Sequence, residues 1–368
     1  MSFLKSLHPY QVCFCGYSGS GKTTLISRLL RSMSEKYSIG YMKTDAHRFS
    51  IDTPGKDTYI AWTSGAKQVA IADRSHSALV SSGQDIMEFQ DNFVDCDMVF
   101  IEGRKQSDFK KIVVVDKDHK ILEKVHDKTV NNILAFVGCE YKSSLLGKPY
   151  FNRDNVEDIR DFIEKMNLDN IPRLYGLVLA GGFSKRMKQD KALIDYYGKP
   201  QVQHCFELLS NFCDKTFISA RHGQLPESVS LLPQIHDRFL KFGPVGGILT
   251  AMIEVPKAAW FVVACDLPLL TKKTLDKIVS HRNPFRLATH YCANNDERFP
   301  EPLCTIYEPK IRHVFLKRLG QEVFCPRKTL KSSPCQIVTM DDENDLKNVN
   351  YSHEYLEFKE GMDGGFSI

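Results

Sequence analysis

The sequence lacks the long apolar run that a membrane-spanning helix requires. Its longest apolar stretches, such as AAWFVVAC at residues 258–265, fall far short of the roughly 20 residues that cross a bilayer. A run of this length instead fits a buried strand. The opening residues, MSFLKSLHPYQV, also contain no long apolar run. We therefore expect no membrane partner.

The 11 cysteines show neither the density of a disulfide framework nor the spacing of a metal site. They are scattered singly through apolar segments, which is typical of a reducing compartment, so we expect a cytoplasmic protein. Cys13 and Cys15 alternate within QVCFC. Without a second cluster of cysteine or histidine, we interpret them as small apolar residues on one face of a strand.

The charge excess of a general nucleic-acid binder is also missing. Up to residue 173, 24 Lys and Arg stand against 23 Asp and Glu, and the remainder has 25 against 22. We therefore expect no nucleic-acid partner. The chain has 368 residues and is 42% hydrophobic, which is enough for two ordinary domains with separate cores.

A phosphate-binding loop follows the first predicted strand. GYSGSGKT, residues 16–23, lies between the apolar run QVCFC and a segment with helical spacing, which is the context that G-x-x-x-x-G-K-[ST] requires. In such a loop, backbone N–H groups surround phosphate oxygens, the lysine reaches the terminal phosphates, and the hydroxyl that follows can ligate Mg²⁺. The predicted binding residues are Gly16, Gly19, Gly21, Lys22, Thr23 and Thr24.

Further apolar runs predict an α/β sheet of mostly parallel strands around this loop. They cover residues 38–43, 68–72 and 97–103. Glu102 ends the last run, where it can hold Mg²⁺, directly or through water, beside the phosphate loop. A solvated carboxylate at a strand end explains this position equally well.

The first half resembles the MobB family, the GTP-binding adaptors of molybdopterin guanine dinucleotide synthesis. Beyond the phosphate loop, the resemblance is carried by KTDAHRF, DTPGKDT and EGRK, and it runs from about residue 11 to 166. Arg104 replaces the aromatic residue that is usual in E-G-F-K, and the segment around His47 has fewer histidines than is typical. The resemblance implies a P-loop NTPase-like domain that binds GTP and assists other cofactor-synthesis proteins.

A polar segment separates the two halves of the chain. Residues 154–168 have apolar side chains at the spacing of a helix with one buried face. DNIPR, residues 169–173, then leads through Pro172 into another apolar strand. We predict a domain border after Arg173, between domains of residues 1–173 and 174–368.

The second half opens on YGLVLAGGFSKRMKQDKALI, residues 175–194. Gly181 and Gly182 break a predicted strand at a point where side chains would block a ligand's approach to the backbone. Arg186 and Lys191 follow, and both can reach back over the loop to a triphosphate. Taken alone, this stretch would fit a solvated basic loop better than a nucleotide site.

Three later segments add chemistry to that stretch. WFVVACDLP is a buried strand ending in Asp266, where one carboxylate plus phosphate oxygens can complete an Mg²⁺ shell. DRFLKFGPVGG, residues 237–247, is a Gly-rich turn before a helix and can bring backbone against a base or ribose. Asn348 and Asn350 would face the same way on an extended segment.

Together these segments resemble, in order, the MobA family of molybdenum cofactor guanylyltransferases, over residues 175 to about 357. The resemblance implies a Rossmann-like, three-layer α/β/α domain that uses Mg²⁺ to transfer GMP from GTP to molybdopterin or Mo-molybdopterin. Molybdoenzyme apo-proteins are further expected partners. The site residues that the resemblance implies are Leu179, Ala180 and Gly181 with Gly182 and Arg186 beside them, Lys191, Asp237, the metal-binding Asp266, and the asparagines Asn348 and Asn350.

In this interpretation Asp266 holds Mg²⁺ at the α-phosphate, while Arg186 and Lys191 neutralise the leaving pyrophosphate. For the first domain we expect slow or negligible GTP hydrolysis, because it shows no obvious water-orienting residue or arginine finger.

Two other functions remain open. A cytidylyl- or sugar-phosphate nucleotidyltransferase would use the same fold. Base choice is uncertain because Lys188 replaces a common glycine and FISARHG, residues 217–223, lacks an asparagine that some members use for the nucleotide. A non-catalytic P-loop adaptor would use the second half only to bind a partner, although Lys191, Asp266 and the paired asparagines favour catalysis.

Overall fold

A computed structural model describes residues 7–44, 52–82, 89–140, 143–180, 191–292, 296 and 299–348. The chain divides into two compact units, Met1–Leu168 and Asp169–Ile368. Each is an α/β unit built on a mostly parallel sheet, which confirms the predicted fold class. Within the described ranges, no helix combines the length and the apolar character that crossing a membrane requires.

The first unit is built on a seven-stranded sheet in the order β2-β5-β1-β6-β7-β9-β8, in which only β8 runs antiparallel to its neighbour. Its central strands β1, β5 and β6 are buried along their whole length, because their uninterrupted apolar runs need cover on both faces. The elements are β1 (Gln11–Cys15), α1 (Lys22–Met33), β2 (Ile39–Lys43), α2 (Asp57–Thr63), β3 (Gln68–Ala72), β4 (Ser77–Ser81), α3 (Gln90–Phe93), β5 (Met98–Glu102), β6 (Lys111–Val114), α4 (Ile121–His126), β7 (Ile133–Gly138), β8 (Ser144–Leu145), β9 (Lys148–Asn152) and α5 (Val156–Leu168).

Strand β3 does not join this sheet. It pairs antiparallel with β4 in a separate two-stranded sheet, with Gln68 opposite Ser81 and Ala72 opposite Ser77. The short segment between the two strands allows a hairpin but not the crossover that a parallel neighbour requires. The predicted strand at residues 68–72 is therefore confirmed, and its expected place in the mostly parallel sheet is wrong.

The second unit is built on a sheet in the order β12-β11-β10-β13-β15-β14-β16, in which only β15 is antiparallel to its neighbours. Its elements are β10 (Leu174–Leu179), a 3-10 helix (Lys191–Leu193), α6 (Gln201–Ser210), β11 (Lys215–Ala220), α7 (Glu227–Ser230), β12 (Gln234–His236), α8 (Pro244–Glu254), β13 (Ala259–Ala264), α9 (Lys272–Ser280), β14 (Ala288–Cys292), β15 (Pro300–Tyr307), α10 (Ile311–Gly320), α11 (Pro326–Lys331), β16 (Gln336–Val338) and a second 3-10 helix (Glu343–Leu346).

Helices cover both faces of this second sheet. Helices α6 and α9 pack on the face that carries Val178 and Phe261. Helix α8 lies on the opposite face, where its Gly247 approaches the side chain of Leu179. The unit therefore has the three-layer α/β/α arrangement that the resemblance implies.

In each sheet, the strand order reverses at the strand that precedes a glycine-rich segment of the sequence. In the first unit β1 lies between β5 and β6, and in the second β10 lies between β11 and β13. The crevice outside the carboxyl ends of the strands at such a point is where ligands bind in open α/β sheets. The fold therefore directs attention to the residues that follow β1 and β10.

Candidate functional site

The phosphate loop turns directly from β1 into α1. Gly21 precedes the helix with φ of +88°, a left-handed conformation that glycine adopts without strain. At Gly16 a Cβ atom would lie 2.6 Å from the carbonyl oxygen of Val114, so only glycine lets the loop pass this close to β6. Gly19 also has a positive φ, of 75°, and borders open space.

The lysine of the loop folds back across it. Lys22 Nζ donates a hydrogen bond to the carbonyl oxygen of Tyr17 at 2.7 Å. Burial lowers the pKa of Lys22, and the nearby Glu102 opposes that shift. Thr24 is exposed on the first turn of α1. The lysine is thus held beside the loop, where it can exchange a carbonyl for a phosphate oxygen.

Thr23 and Glu102 form one corner of this site. The Thr23 hydroxyl lies 3.0 Å from both carboxylate oxygens of Glu102 and donates to them. The Tyr41 hydroxyl donates to Oε2 at 2.8 Å, and Lys43 Nζ lies 3.7 Å from Oε1. Glu102 is only 5% exposed, so it is not a solvated strand-end carboxylate. A hydroxyl beside a carboxylate is a donor set that suits Mg²⁺.

Sequence reasoning assigned no role to Tyr41 or Lys43. Strand alternation puts both residues on one face of β2, which pairs with β5, and that pattern is the signal that would have found them. Both side chains converge on Glu102 and fix the orientation of its carboxylate.

In the second unit, Lys191 and Asp266 meet at the carboxyl ends of β10 and β13. Lys191 Nζ lies 3.9 Å from Oδ2 of Asp266. Within the described part of the chain, the buried Oδ1 of Asp266 has no hydrogen-bond partner. Burial raises the pKa of Asp266, and Lys191 opposes that shift. A buried carboxylate oxygen without a donor, at a strand end, suits a bound cation.

Glu301 is a second carboxylate at this end of the sheet, and sequence reasoning missed it. Antiparallel pairing of β13 with β15 matches Val263 with Cys304, and continuing that register puts Glu301 opposite Asp266. Glu301 is 7% exposed, and Arg327 lies 3.6 Å from its Oε2. Burial raises the pKa of Glu301, and repulsion from Asp266 adds to that increase. No local motif marks this residue, because strand register alone brings it to the site.

Asp237 is held by a neighbour that the sequence did not reveal. Ser219 Oγ donates to its Oδ1 at 2.6 Å. Gly247 packs so closely that a Cβ there would lie 2.3 Å from Ser219 Oγ and 3.3 Å from Asp237 Oδ1. Burial raises the pKa of Asp237, and the hydrogen bond from Ser219 opposes that shift. The unusual segment at residues 217–223 therefore contributes Ser219 to this site.

The start of the loop after β10 is tied to β11. The backbone N–H of Ala180 donates to the carbonyl of Ser219 at 2.9 Å. Gln224 Nε2 donates to the carbonyl of Ala180 at 2.8 Å. Leu179 and Ala180 are both buried, so the backbone is fixed up to the point where the glycine pair begins.

Asn348 has a buried Oδ1 without a hydrogen-bond partner among the described residues. Within the described ranges, no three His, Cys, Asp or Glu side chains are grouped so that they could hold a metal ion. A magnesium ion at Asp266 or Glu102 would therefore take most of its ligands from phosphate and water. Outside the described residues lie Gly181, Gly182, Arg186, Asn350, His47 and Lys188.

Two family models match the chain in succession. The model described as molybdopterin guanine dinucleotide synthesis protein B matches residues 11–139. The model described as MobA-like NTP transferase domain matches residues 176–333. The first match contains the phosphate loop and Glu102, and the second contains Lys191, Asp237 and Asp266.

Three similar proteins illustrate the relationship. The molybdenum cofactor biosynthesis bifunctional protein of Synechocystis sp. is 39% identical over 183 residues, which are 50% of this chain and 52% of that protein. This match thus spans about half the length of that relative. The molybdenum cofactor guanylyltransferase of Shewanella sp. (strain MR-4) is 30% identical over 142 residues, covering 37% of this chain and 69% of that protein. The molybdopterin-guanine dinucleotide biosynthesis adapter protein of Escherichia coli (strain K12) is 28% identical over 162 residues, covering 41% and 90%.

Proposed function

Because the chain belongs to the molybdenum cofactor guanylyltransferase family, we propose that its second unit transfers GMP from GTP to the terminal phosphate of molybdopterin or Mo-molybdopterin. The products are molybdopterin guanine dinucleotide and pyrophosphate. The first unit binds a GTP of its own and acts as an adaptor, without rapid hydrolysis. The observation that carries this proposal is that Lys191 Nζ lies 3.9 Å from Asp266 Oδ2 at the point where the strand order of the second sheet reverses.

In the proposed reaction, an ionised phosphate oxygen of molybdopterin attacks the α-phosphorus of GTP. The bond from that phosphorus to the bridging oxygen of the β-phosphate breaks, and pyrophosphate leaves with the electron pair. No proton has to be removed from the nucleophile, so no Ser, Cys or His needs activation. Catalysis then depends on in-line positioning and on neutralising the charge of the phosphates. Lys191 and Arg186 neutralise the leaving pyrophosphate.

We assign an Mg²⁺ ion to Asp266. The Oδ1 atom has no hydrogen-bond partner among the described residues, which supports this assignment. The nearby carboxylate of Glu301 makes this end of the sheet more attractive to a cation. When bound, the ion supplies positive charge to the α-phosphate. Asp266 holds it, and Lys191 balances the charge of the same carboxylate until the nucleotide arrives.

The nucleotide lies against the backbone of Leu179, Ala180, Gly181 and Gly182 in this proposal. Asp237, oriented by Ser219, contacts the base or ribose, and Asn348 and Asn350 complete the active site. In the first unit, the predicted residues Gly16, Gly19, Gly21, Lys22, Thr23 and Thr24 bind the phosphates of the second GTP, with Thr23 and Glu102 on its Mg²⁺.

The domain border of this proposal lies after Arg173. The setting is the reducing cytoplasm, which the 11 thiols without a disulfide support. The remaining proposed partners are other cofactor-synthesis proteins and the molybdoenzyme apo-proteins that accept the product.

A comparison of nucleotide donors tests this function. The full chain is incubated with molybdopterin, Mg²⁺ and GTP, CTP, ATP or UTP, and both pyrophosphate and the dinucleotide product are measured. We expect both products with GTP, and only when the acceptor is present. Faster transfer from CTP would instead establish a cytidylyltransferase. No product with any donor would favour the non-catalytic adaptor.

A further inference from the structure

A cationic cavity lies in the first unit beside the phosphate loop. Its volume is about 430 Å³, within the range of small-molecule pockets. Of its described lining residues, three are cations and none is an acid. The residues that matter for its chemistry are Tyr17, Arg104, Lys105, Lys124, Ser107 and Thr129.

The cavity adjoins the phosphate loop of residues 16–23. Tyr17 alone belongs to both among the described lining residues, and the side chain of Lys22 is directed to the Tyr17 carbonyl. Lys105 Nζ lies 4.4 Å from the centroid of the Tyr17 ring, so a cation and an aromatic face are presented together. Lys124 lies on α4, where its Nζ is 3.3 Å from the exposed Asp127.

The loop that forms one wall is fixed from beneath by a buried lysine. Lys111 Nζ donates to the carbonyl oxygens of Ser107, of Phe109 at 2.8 Å and of Asn131 at 3.3 Å. Lys111 is fully buried, so these three carbonyls take the place of water around its ammonium. The wall is therefore held in shape before any ligand binds.

Arg104 has a backbone conformation that is uncommon outside glycine. Its φ is +49°. Such a conformation is unfavourable for an ordinary side chain and is often found where a loop is shaped for binding. It turns the chain directly after Glu102 and Gly103, so Arg104 and Lys105 line the cavity instead of continuing the strand.

We propose that this cavity binds a phosphorylated small molecule that is separate from the GTP of the phosphate loop. Arg104, Lys105 and Lys124 supply charge-assisted hydrogen bonds to phosphate oxygens, and the hydroxyls of Ser107 and Thr129 supply neutral ones. The cavity is larger than one phosphate group needs, so the ligand carries an organic part, which the face of Tyr17 can contact. This site does not depend on GMP transfer by the second unit.

The test uses the full chain carrying Lys22→Ala, so that the phosphate loop has lost its lysine, and inorganic pyrophosphate as the probe. Individual lysines are acetylated, and their modification rates are followed by mass spectrometry at increasing pyrophosphate. We expect pyrophosphate to protect Lys105 and Lys124 and to leave the exposed Lys110 unprotected. Equal rates for Lys105 and Lys124 with and without pyrophosphate would overturn the proposal.

Two variants in the same background separate a built site from diffuse charge. Arg104→Asn keeps a residue type that tolerates positive φ, and we expect it to weaken protection by pyrophosphate about tenfold. Lys110→Ala removes an equal charge from the same loop outside the cavity and should leave protection unchanged. An equal loss in both variants, or protection that disappears with Lys22→Ala alone, would contradict a separate site.

Discussion

Lys191 Nζ lies 3.9 Å from Oδ2 of Asp266. This contact brings the first residue of the 3-10 helix Lys191–Leu193 next to a residue that follows β13. The pair therefore places a cation and a carboxylate together at the carboxyl ends of β10 and β13 before any substrate binds. Groups that are positioned in advance need no rearrangement when phosphate charge develops, which is how such sites lower a reaction barrier. In the proposed complex, the two groups then serve different oxygens of the same triphosphate.

Lys191→Met should therefore lower kcat/KM for transfer by about 10²-fold, the usual effect of losing one charge-stabilising donor. Lys191→Arg keeps the positive charge and should recover part of the loss. Steady-state pyrophosphate release with GTP and molybdopterin measures both. Lys199→Met is the control, because Lys199 pairs with the exposed Glu207. An equal loss in the control would remove the special role of Lys191.

Thr23→Val should lower the affinity for GTP at one of the two proposed GTP sites by about tenfold, and only when Mg²⁺ is present. Valine keeps the shape of threonine but loses the hydroxyl that contacts Glu102. Thr23→Ser keeps the hydroxyl and should bind as the wild type does. Isothermal titration calorimetry with Mg²⁺ and with EDTA provides the comparison. The same loss in EDTA would show that Thr23 supports the fold of the loop, not the metal.

Ser219→Ala should make the KM for GTP more sensitive to acid. Burial raises the pKa of Asp237, while the Ser219 hydrogen bond lowers it, so deleting the hydroxyl raises that pKa further. As the pH falls, Asp237 of the variant loses its charge at a higher pH than in the wild type. The rise in KM therefore also begins at a higher pH. KM measured across a pH series in both proteins tests the shift. Ser230→Ala, an exposed serine, should keep the wild-type profile. Superimposable curves for Ser219→Ala and the wild type would rule out a binding role for the Asp237 charge.

Gly247→Ala should raise the KM for GTP and destabilise the second unit by about 1–3 kcal/mol, as an added methyl group does in a close-packed region. Its Cβ would lie 2.3 Å from Ser219 Oγ, so the pair that orients Asp237 must shift. Gly320→Ala adds the same atom on α10, where nothing lies within 4 Å, and it should not destabilise the protein. Thermal unfolding and GTP kinetics of both variants make the comparison. Equal stability and equal KM for GTP in the two variants would mean that small movements relieve the close contact at Gly247.

The features that the sequence predicted correctly depend on local chemistry. The turn from β1 into α1 needs glycine at Gly21 because of its own backbone conformation, with φ of +88°, so a local motif could reveal it. Asp266 ends an uninterrupted apolar run, which also marks a strand end without knowledge of its neighbours.

The features that the sequence did not reveal depend on contacts between distant segments. Glu301 comes to the edge through the register of β15 against β13, and Ser219 reaches Asp237 across neighbouring strands. The wrong placement of β3 has the same origin, because a strand pattern does not say which strand is its partner. Arg104 stood out in the sequence as an unusual residue, but only the folded loop brings it to the cavity that Lys105 and Lys124 also line.

The most direct test of the central claim is the rate of dinucleotide formation by Asp266→Asn in a single turnover, with GTP labelled at the α-phosphate. Asparagine keeps the size of the side chain but loses the charge that would hold Mg²⁺. Asp276→Asn, on the exposed face of α9, is the matched control and should react at the wild-type rate. We predict a rate constant about 10²–10³-fold lower for Asp266→Asn, with nearly unchanged GTP affinity. Near-normal turnover of Asp266→Asn would contradict the proposed metal-assisted transfer at this edge.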